Sequence, residues 1–313
     1  MTNSTQELTQ FVKNKAADYG FFAVGISRAR HLSELKSILQ SWLNMKMHGE
    51  MHYMENHFEK RLDPRLLVEG CKSVITVLLN YYPEKEILLN GNFKISKYAY
   101  GRDYHSVIKE KLNGLLADIE QRTGTIKARI FSDSAPVMDK AWAREGGLGW
   151  IGKNTCLINK DSGSFFFIGH LITDLELEYD NPFDKDHCGS CDRCIKACPT
   201  EAITESYQLD ARKCISYLNI EYRNKFPKGV SKQLDQWIFG CDICQDVCPW
   251  NKKAVSHKEK DFIPSGKLLS LQKDDWEHLT EEIFNELFEY SAVSRIKYNG
   301  FMRNIQAVTN QLE

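Results

Sequence analysis

Residues 188–200 read CGSCDRCIKACPT, and this stretch decides how the rest of the chain is interpreted. Its four cysteines are spaced by three, three and four residues and are followed by Pro199: Cys188, Cys191, Cys194 and Cys198. A second stretch, GCDICQDVCPW at residues 240–250, contains three more cysteines and again ends in Cys-Pro: Cys241, Cys244 and Cys248. Cys214, in DARKCISYL, lies between the two stretches. The region therefore supplies enough thiols for two four-ligand metal centres.

The spacing of the first four cysteines is typical of bacterial ferredoxins. There, three thiolates bind one 4Fe-4S cluster, and the fourth, followed by proline, binds the other cluster. By analogy with this crossed ligation, we predict two clusters. The ligands of the first are Cys188, Cys191, Cys194 and Cys248. The ligands of the second are Cys198, Cys214, Cys241 and Cys244.

Three other uses of these cysteines are less consistent with the sequence. Disulfides require export, whereas residues 1–20 are polar and amphipathic and contain no apolar signal segment. Zinc would explain the paired CxxC elements, but the tight first run suits cubanes better than separate tetrahedral sites. No three cysteines have the CxxxCxxC spacing of radical-SAM enzymes. We therefore expect a reducing, cytoplasmic environment, in which the remaining Cys71 and Cys156 are simple buried thiols.

The overall composition describes an ordinary soluble protein. The chain has 313 residues, of which 42% are hydrophobic, and this length accommodates about two domains. No apolar run approaches the ~20 residues of a membrane span. The net charge of -1 does not by itself indicate a polyanionic partner. However, residues 161–210 hold eleven acidic and three basic residues, and residues 211–260 hold five and ten. This asymmetry fits either a nucleic-acid surface or, more commonly, a solvated charged face.

The first half of the chain alternates helix and strand patterns and is therefore predicted to be α/β. Helices are expected at residues 4–19 and 32–43, and a long helix follows ISKYAYGRDYH, with apolar residues from Val107 to Ile119, and ends at Gly124. Strands are expected at residues 21–27, 73–82, 125–133 and 164–173. Another helix is predicted near Ser134, with Pro136 in its first turn. Asp133 would then lie at the tip of a strand, where α/β sheets bind ligands, or would cap the following helix.

The segment GGLGWIGKN at residues 146–154 contains four closely spaced glycines ahead of Lys153 and Asn154. It is not a P-loop, because Asn154 stands where that motif requires Ser or Thr. By itself it is as consistent with a structural turn as with a binding loop. Beyond Trp250 the chain is polar, and helices are expected at residues 279–289 and 300–312.

Several segments, taken in order, resemble the epoxyqueuosine reductase family, the cobalamin-dependent iron-sulfur enzymes that complete queuosine synthesis in tRNA. They are KYAYGRDYH at 97–105, FSDSAPVMDKAWAREGGLGWIGKN at 131–154, CGSCDRCIKACPTEAI at 188–203, LDARKCISYL at 209–218 and FGCDICQDVCPWN at 239–251. The similarity runs from EKRLDP at residues 59–64 to MRN at 302–304.

The resemblance implies an α+β multidomain fold. Residues 1–175 would form an α/β cobalamin-binding domain, 176–255 a two-cluster ferredoxin-like domain, and 256–313 a short helical portion similar to HEAT repeats. Longer family members have more such repeats.

The resemblance also implies an oxidoreductase that removes the epoxide oxygen with two electrons and protons, using cobalamin that the clusters reduce. Asp133 matches the family's proton donor, and burial beneath the macrocycle would raise the pKa of its carboxyl group. The expected cobalamin contacts are Arg61, Ser96, Tyr104, His105, Asp133, Lys153 and Asn154. Asp103 and His105 begin the cobalamin motif DxHxxG, but Ile108 occupies its glycine position. We therefore expect base-off cobalamin without a histidine ligand.

The implied partners are tRNA containing epoxyqueuosine and an unknown low-potential electron donor, with no membrane association and a monomeric chain. Two other functions remain open: a reductive dehalogenase-like enzyme, which shares this set of cofactors, and a plain ferredoxin-type electron carrier. The electron carrier would leave Asp133 and the GKN segment unexplained.

Overall fold

A computed structural model describes residues 3–87, 89–227 and 229–309. Its helices are α1 (Asn3–Asp18), α2 (Ser33–Asn44), α3 (Phe58–Leu62), α4 (Tyr104–Thr123), α5 (Asp139–Glu145), α6 (Arg193–Ala197), α7 (Ile215–Ile220), α8 (Val230–Gln233), α9 (Ile243–Asp246), α10 (Gly266–Ser270), α11 (Lys273–Glu277), α12 (Glu281–Phe288) and α13 (Lys297–Thr309). Its strands are β1 (Ala23–Arg28), β2 (Ser73–Asn80), β3 (Lys94–Ile95), β4 (Ala128–Phe131), β5 (Trp150–Ile151), β6 (Leu157–Ile158), β7 (Phe166–Thr173), β8 (Ile203–Glu205), β9 (Gln208–Leu209) and β10 (Trp237–Phe239).

The first half of the chain folds around a four-stranded sheet with the order β1-β2-β7-β4. The central strands β2 and β7 are mostly apolar and buried along almost their whole length, and helices cover both of their faces. Every neighbouring pair in this sheet is antiparallel. The sheet therefore differs from the parallel sheets of typical α/β folds, whereas the predicted strands themselves are present.

The long helix α4 packs on this sheet as its sequence indicates. Asp103 caps its first turn by accepting a hydrogen bond from the His105 backbone N–H at 2.9 Å, and Gly124 follows its last residue. Its apolar side chains, which include Ile108 and Leu112, are fully buried against the sheet. The long helix predicted from the apolar pattern is thus confirmed.

The helix predicted near Ser134 begins later than expected. Residues 132–138 form an irregular loop, α5 starts at Asp139, and Met138 is its N-cap. Pro136 is therefore outside the helix, and Asp133 does not cap it. The glycine-rich segment that follows α5 forms the hairpin of β5 and β6, with residues 152–156 at its tip.

In the cysteine-rich region two short helices, α6 and α9, pack against each other and lie within the two cysteine runs, so that Cys194 is in α6 and Cys244 in α9. A small hairpin, β8 and β9, follows α6. Strand β10 leads into the second cysteine run and pairs in parallel with β3 from the first half of the chain. Through this pairing the cysteine-rich region is joined to the segment that precedes α4.

The C-terminal segment shares one hydrophobic core with the two regions before it. This core combines Phe93 and Ile95 with Phe239 and with Trp276 and Phe301 of α11 and α13. The helices predicted at 279–289 and 300–312 correspond to α12 and α13, while residues 310–313 lie outside the described part of the chain. Within the described ranges, none of the helices combines the length and apolar character that crossing a bilayer requires.

Candidate active site and metal centres

Four of the predicted ligand cysteines line one cavity beside α6. They are Cys188, Cys191, Cys194 and Cys248, and Lys153, Asn154 and Trp250 complete the walls. The indole Nε1 of Trp250 donates a hydrogen bond to the His187 carbonyl at 3.3 Å, which fixes the ring over this cavity. The crossed grouping, in which Cys248 from the second run joins three cysteines of the first, is present in the structure.

The other four predicted ligands form a second group. They are Cys198, Cys214, Cys241 and Cys244, which interact electrostatically with one another. The backbone N–H of Ala202 donates to the Cys198 sulfur at 3.3 Å. Burial raises the pKa of the Cys214 and Cys241 thiols, so a bound cation would be needed to hold them as thiolates. All eight thiols are free of disulfides.

Asp133 stands on the irregular loop after β4 with a backbone φ of +52°. Its side chain is 63% exposed and faces Tyr104 and His105 at the start of α4. The Tyr104 hydroxyl donates a hydrogen bond to Asp133 Oδ2 at 2.5 Å, and His105 Nε2 lies 3.8 Å from the same oxygen. The structure therefore brings together three of the residues that the sequence singled out.

The rings of Phe167 and His105 stack against the Tyr104 ring and hold it in place. The Tyr104 ring stacks on Phe167 of β7 at a centroid distance of 4.2 Å and on His105 at 4.1 Å. Burial, together with the neighbouring Asp133 carboxylate, raises the pKa of Tyr104 well above its usual value. Tyr104 consequently remains a hydrogen-bond donor to Asp133 over the whole physiological pH range.

His105 is oriented by Asp103, whose Oδ1 lies 2.7 Å from the imidazole Nδ1. Burial disfavours the charged form of Asp103, yet its hydrogen bonds with His105 lower its pKa below the usual value. Asp103 is therefore ionised and pairs with Nδ1 of His105, while Nε2 of the same imidazole faces Asp133.

An aromatic side chain, Tyr98, connects this site to the second thiol group. Its ring centroid lies 6.2 Å from that of Tyr104 and 5.9 Å from that of Phe239. Gly240, next to Cys241, is so close to this segment that an added Cβ would lie 2.4 Å from Ser96 Cβ and 3.4 Å from the Tyr98 ring. The start of the second cysteine run thus lies against the segment that carries Ser96 and Tyr98.

Comparisons with known proteins agree with this arrangement. Residues 61–134 match the family model described as Epoxyqueuosine reductase QueG, and residues 187–251 match a 4Fe-4S double cluster binding domain. An epoxyqueuosine reductase of Cyclobacterium marinum is 51% identical over 99% of both chains.

The chain belongs to the epoxyqueuosine reductase family.

Two solved structures of epoxyqueuosine reductases have the same fold. One, with an epoxyqueuosine-modified tRNA-Tyr stem loop, is 27% identical with a TM-score of 0.88, covering 96% of this chain and 80% of that chain. The other, from Bacillus subtilis, has its aspartate-bearing catalytic loop swung out of the active site. It is 26% identical with a TM-score of 0.88, covering 96% of this chain and 81% of that chain.

Not every residue that the family resemblance selected lies beside Asp133. Ser96 is 2% exposed, and its hydroxyl donates to the buried Asp242 carboxylate between Cys241 and Cys244. Lys153 Nζ donates to the Gly189 carbonyl at 2.6 Å, and Asn154 Nδ2 donates to the Cys244 carbonyl at 3.3 Å. In this member of the epoxyqueuosine reductase family, these three side chains contact the cysteine-rich region.

Arg61 is buried without an acidic partner. Its guanidinium donates to the backbone carbonyls of Tyr53 at 2.5 Å and Asn56 at 3.3 Å. Burial lowers the pKa of Arg61, and no carboxylate in the described residues forms an ion pair with it. A guanidinium has five N–H donors, so unused donors remain for an added acceptor.

No sequence motif indicated three further residues near this site. Arg295, from the C-terminal segment, forms two hydrogen bonds with Glu221, at 3.0 and 3.1 Å. Burial raises the pKa of Tyr53 to about 12, and the charges of Glu221, Arg295 and Asp133 act on the same hydroxyl. These residues belong to no motif and come from distant parts of the chain, so only the fold reveals that they are neighbours.

Proposed function

We propose that this chain reduces epoxyqueuosine in tRNA to queuosine. The observation that carries the proposal is Asp133, an exposed carboxylate held by Tyr104 near the segment that carries Tyr98 and lies against the second cysteine run. Membership of the epoxyqueuosine reductase family supplies the substrate. The balanced reaction consumes the epoxide, two electrons and two protons, and yields an alkene and water. The function thus needs both an electron supply and a proton donor at one place.

The electron supply is assigned to the two thiol groups. We assign Cys188, Cys191, Cys194 and Cys248 to the first 4Fe-4S cluster. We assign Cys198, Cys214, Cys241 and Cys244 to the second. These residues suit two clusters because each 4Fe-4S cluster requires four cysteine thiolates, and the eight free thiols form two groups of four. Because Gly240, the residue before Cys241, lies against the segment that carries Tyr98, a cluster held by the second group would be placed to supply electrons to the site at Asp133.

Cobalamin is the proposed cofactor at the Asp133 site. The polar side chains there suit a ligand rich in amides and carrying a phosphate: Arg61 has unused buried donors, and the Tyr53 hydroxyl lies within the electrostatic range of Arg61 and Arg295. When bound, cobalamin supplies a strongly reducing cobalt centre that opens the strained epoxide. Tyr104 and His105 remain proposed contacts, whereas Ser96, Lys153 and Asn154 are less well placed for this role.

We further propose that the bound cobalamin is base-off. The pairing of His105 Nδ1 with Asp103 would by itself suit a metal-binding imidazole, but Nε2 of His105 lies 3.8 Å from Asp133 Oδ2 and the ring is stacked on Tyr104. Ile108, at the glycine position of the base-on motif, is fully buried in the core and approaches Gly169 closely. The glycine position of the DxHxxG motif is therefore filled by a buried core side chain.

Asp133 is the proposed proton donor to the oxygen that leaves the ring. Its carboxyl group is exposed, so it can exchange protons with solvent before the substrate covers it. Tyr104 donates to one oxygen, Oδ2, which leaves Oδ1 to carry the proton towards the substrate. The irregular loop at residues 132–138 would then correspond to the catalytic loop that moves in the Bacillus subtilis enzyme.

The remaining partners are also proposals. The tRNA stem loop would bind over the Asp133 side, where lysines and arginines of residues 211–260 are available for phosphate contacts. We expect an external low-potential donor to reduce the clusters, and a monomeric chain acting in the cytoplasm, where thiolate-bound iron persists.

One assay tests the proposed function against the alternatives. The chain is purified anaerobically, its iron and cobalamin are quantified, and it is incubated with a low-potential reductant and a tRNA stem loop carrying epoxyqueuosine. We expect queuosine, detected by mass spectrometry of the nucleosides. Intact clusters and cobalamin without queuosine formation would refute the proposal. Halide release from aryl halides would then indicate a dehalogenase, and clusters without cobalamin binding would indicate an electron carrier.

A further inference from the structure

An open depression on the surface of the cysteine-rich region lies where α6 and α9 pack against each other. Its lining includes three cationic side chains, two apolar side chains and one cysteine: Arg193, Lys196, Lys252, Ala197, Val247 and Cys248. The three cationic residues are exposed, whereas the two apolar residues are partly buried. We call this surface the Cys248 depression. It combines an apolar centre with cationic edges.

The carboxylates beside the Cys248 depression already belong to ion pairs. Asp246, which also lines it, lies 2.8 Å from Nζ of the buried Lys97, and Glu86 lies 3.0 Å from the same amine. Asp192, the N-cap of α6, lies 2.9 Å from Nζ of Lys196. The two lysines thus offset part of the negative charge at this surface.

Three cations at or beside the Cys248 depression have no such partner. In the part of the chain that the structure describes, no carboxylate forms an ion pair with Arg193, Lys252 or Lys253, and all three are exposed. Lys253 lies 4.7 Å from the centroid of the Trp250 ring and donates to the Lys160 carbonyl at 3.2 Å. Unpaired cations on one surface create a positive potential that attracts acidic partners.

Cys248 links this surface to the first thiol group. It lines the Cys248 depression and also the cavity that it forms with Cys188, Cys191 and Cys194. Arg193 lines both as well. A cluster held by these four thiols would therefore border the depression. Electron transfer between proteins requires a close approach of the two redox centres, and a carrier bound in the depression would meet this requirement.

We propose that the Cys248 depression docks an acidic electron-transfer protein that reduces the first cluster. In each encounter the carrier is oxidised by one electron and the cluster is reduced by one electron. Two encounters therefore supply the two electrons that the proposed reaction consumes. The inference rests on the proposed function and on the proposed ligands of the first cluster, and it specifies the chemistry of the external donor.

The character of the surface favours such a carrier. A transient protein interface has an apolar centre with polar side chains around it, and Ala197 and Val247 supply the apolar part here. Unpaired cations at the edge increase the association rate of a partner with the opposite charge. RNA phosphates would be attracted by the same cations, but a phosphate backbone carries no electrons for the cluster that borders this surface. Other lysines and arginines of residues 211–260 remain for the tRNA.

The test uses the full chain with both clusters assembled and a reduced acidic 2Fe-2S ferredoxin as the probe. Arg193→Glu and Lys252→Glu are combined in one variant, and Arg193→Gln and Lys252→Gln in a second. The matched control combines Lys60→Glu and Lys109→Glu, which change the charge equally at exposed positions of α3 and α4. Cluster reduction is followed anaerobically by rapid-freeze electron paramagnetic resonance, which separates the 4Fe-4S signals from the probe signal. The methyl viologen radical cation serves as a reductant that needs no docking surface.

We expect the rate constant for reduction by the ferredoxin to fall roughly 10-fold or more in the glutamate variant at low salt, because electrostatic attraction becomes repulsion. The glutamine variant should lose less. The wild-type rate should fall as the ionic strength rises through about 0.15 M, where the Debye length is about 8 Å. The control variant should match the wild type, and methyl viologen should reduce the glutamate variant at least as fast as the wild type.

Equal ferredoxin rates in the wild type and the glutamate variant, both with full iron content, would overturn the inference. So would slower reduction by both reductants, because that result indicates a damaged cluster rather than a lost docking surface. If the glutamate variant loses iron, the glutamine variant decides by the same criteria. An unchanged ferredoxin rate with weaker binding of a tRNA stem loop, measured by fluorescence anisotropy, would assign the surface to RNA and reject the inference.

This readout is separate from that of the proposed function, because cluster reduction is measured without cobalamin and without tRNA. Salt-dependent reduction by the ferredoxin, lost in the glutamate variant, combined with no queuosine formation would refute the proposed function and support the docking surface. Queuosine formation with equal ferredoxin rates in all variants would support the proposed function and reject the docking surface.

Discussion

Asp133 occupies a left-handed backbone conformation, with φ at +52°, which aspartate tolerates better than most residues. This conformation ends β4 abruptly and turns the side chain away from the sheet towards Tyr104. An Asp in αL can satisfy local polar groups, but here the carboxylate accepts from a side chain on another element. The geometry suits a group that must face a bound substrate rather than one that only caps a turn.

Replacing Asp133 by Asn removes the proton that we assign to the leaving oxygen. We expect Asp133→Asn to retain cobalamin and both clusters but to lower kcat by roughly 100- to 10,000-fold, the usual range for a general acid. The measurement is single-turnover queuosine formation, with metal content determined on the same samples. Asp161→Asn, at an exposed position on a turn, is the matched control and should match the wild type. Full activity in Asp133→Asn would reject the proton-donor role.

Tyr104→Phe keeps the stacked ring but deletes the hydroxyl that orients Asp133. A hydrogen bond to a charged group contributes about 1.5–3 kcal/mol, so we expect kcat to fall roughly tenfold or more while cobalamin binding is retained. Because its pKa is raised, Tyr104 stays protonated well beyond pH 10, and the wild-type rate should show no loss from its ionisation below that pH. Tyr179→Phe, whose hydroxyl bonds only the Lys72 carbonyl, is the control. A decline of the wild-type rate below pH 10 that Tyr104→Phe lacks would contradict this role, and so would an unchanged kcat of Tyr104→Phe at neutral pH.

Among the helices and strands, the sequence predicted correctly those whose faces and ends depend on residues close together in the chain. Helix α4 is confirmed because one apolar face, an Asp cap and a terminal glycine all agree. Pro136 suggested a helix start at Ser134, but the left-handed Asp133 and the loop to Met138 delay it. Sheet direction was not predictable, since an apolar run such as β2 fits a parallel or an antiparallel neighbour equally well. The hydrogen bonds of Arg295 with Glu221 depend on tertiary packing alone.

Helix α13 is anchored by one buried amide. Asn304 is fully buried, and its Nδ2 donates to the Asn219 carbonyl at 2.8 Å and the Ile238 carbonyl at 2.9 Å. Asn304→Ala would leave two buried carbonyls unsatisfied, so we expect the free energy of unfolding to fall by about 2–4 kcal/mol. Urea unfolding followed by circular dichroism measures this change. Gln306→Ala, exposed on the same helix, should change it by no more than about 0.5 kcal/mol, and equal effects of the two variants would contradict the anchor.

At the scale of the molecule, the cysteine-rich region connects the other parts rather than standing apart from them. Strand β10 pairs with β3, Asn219 and Asn304 bind the same segment, and Arg295 reaches Glu221 at the edge of the Asp133 site. One hydrophobic core includes residues from all three predicted domains. A metal centre in this region therefore affects the packing of elements that bind no metal themselves.

This connection predicts how the chain responds to loss of its clusters. Cys241 and Ile243 pack against the shared core, so removing the second cluster releases a cross-link that holds this core together. We expect anaerobic chelation of the iron to accelerate amide hydrogen exchange in β3, β10 and α13, measured by mass spectrometry. Amides of β2 and β7 should keep their protection, because the core on which α4 packs consists of other residues. If exchange increases in residues 187–251 while α13 stays protected, side-chain packing alone maintains the shared core.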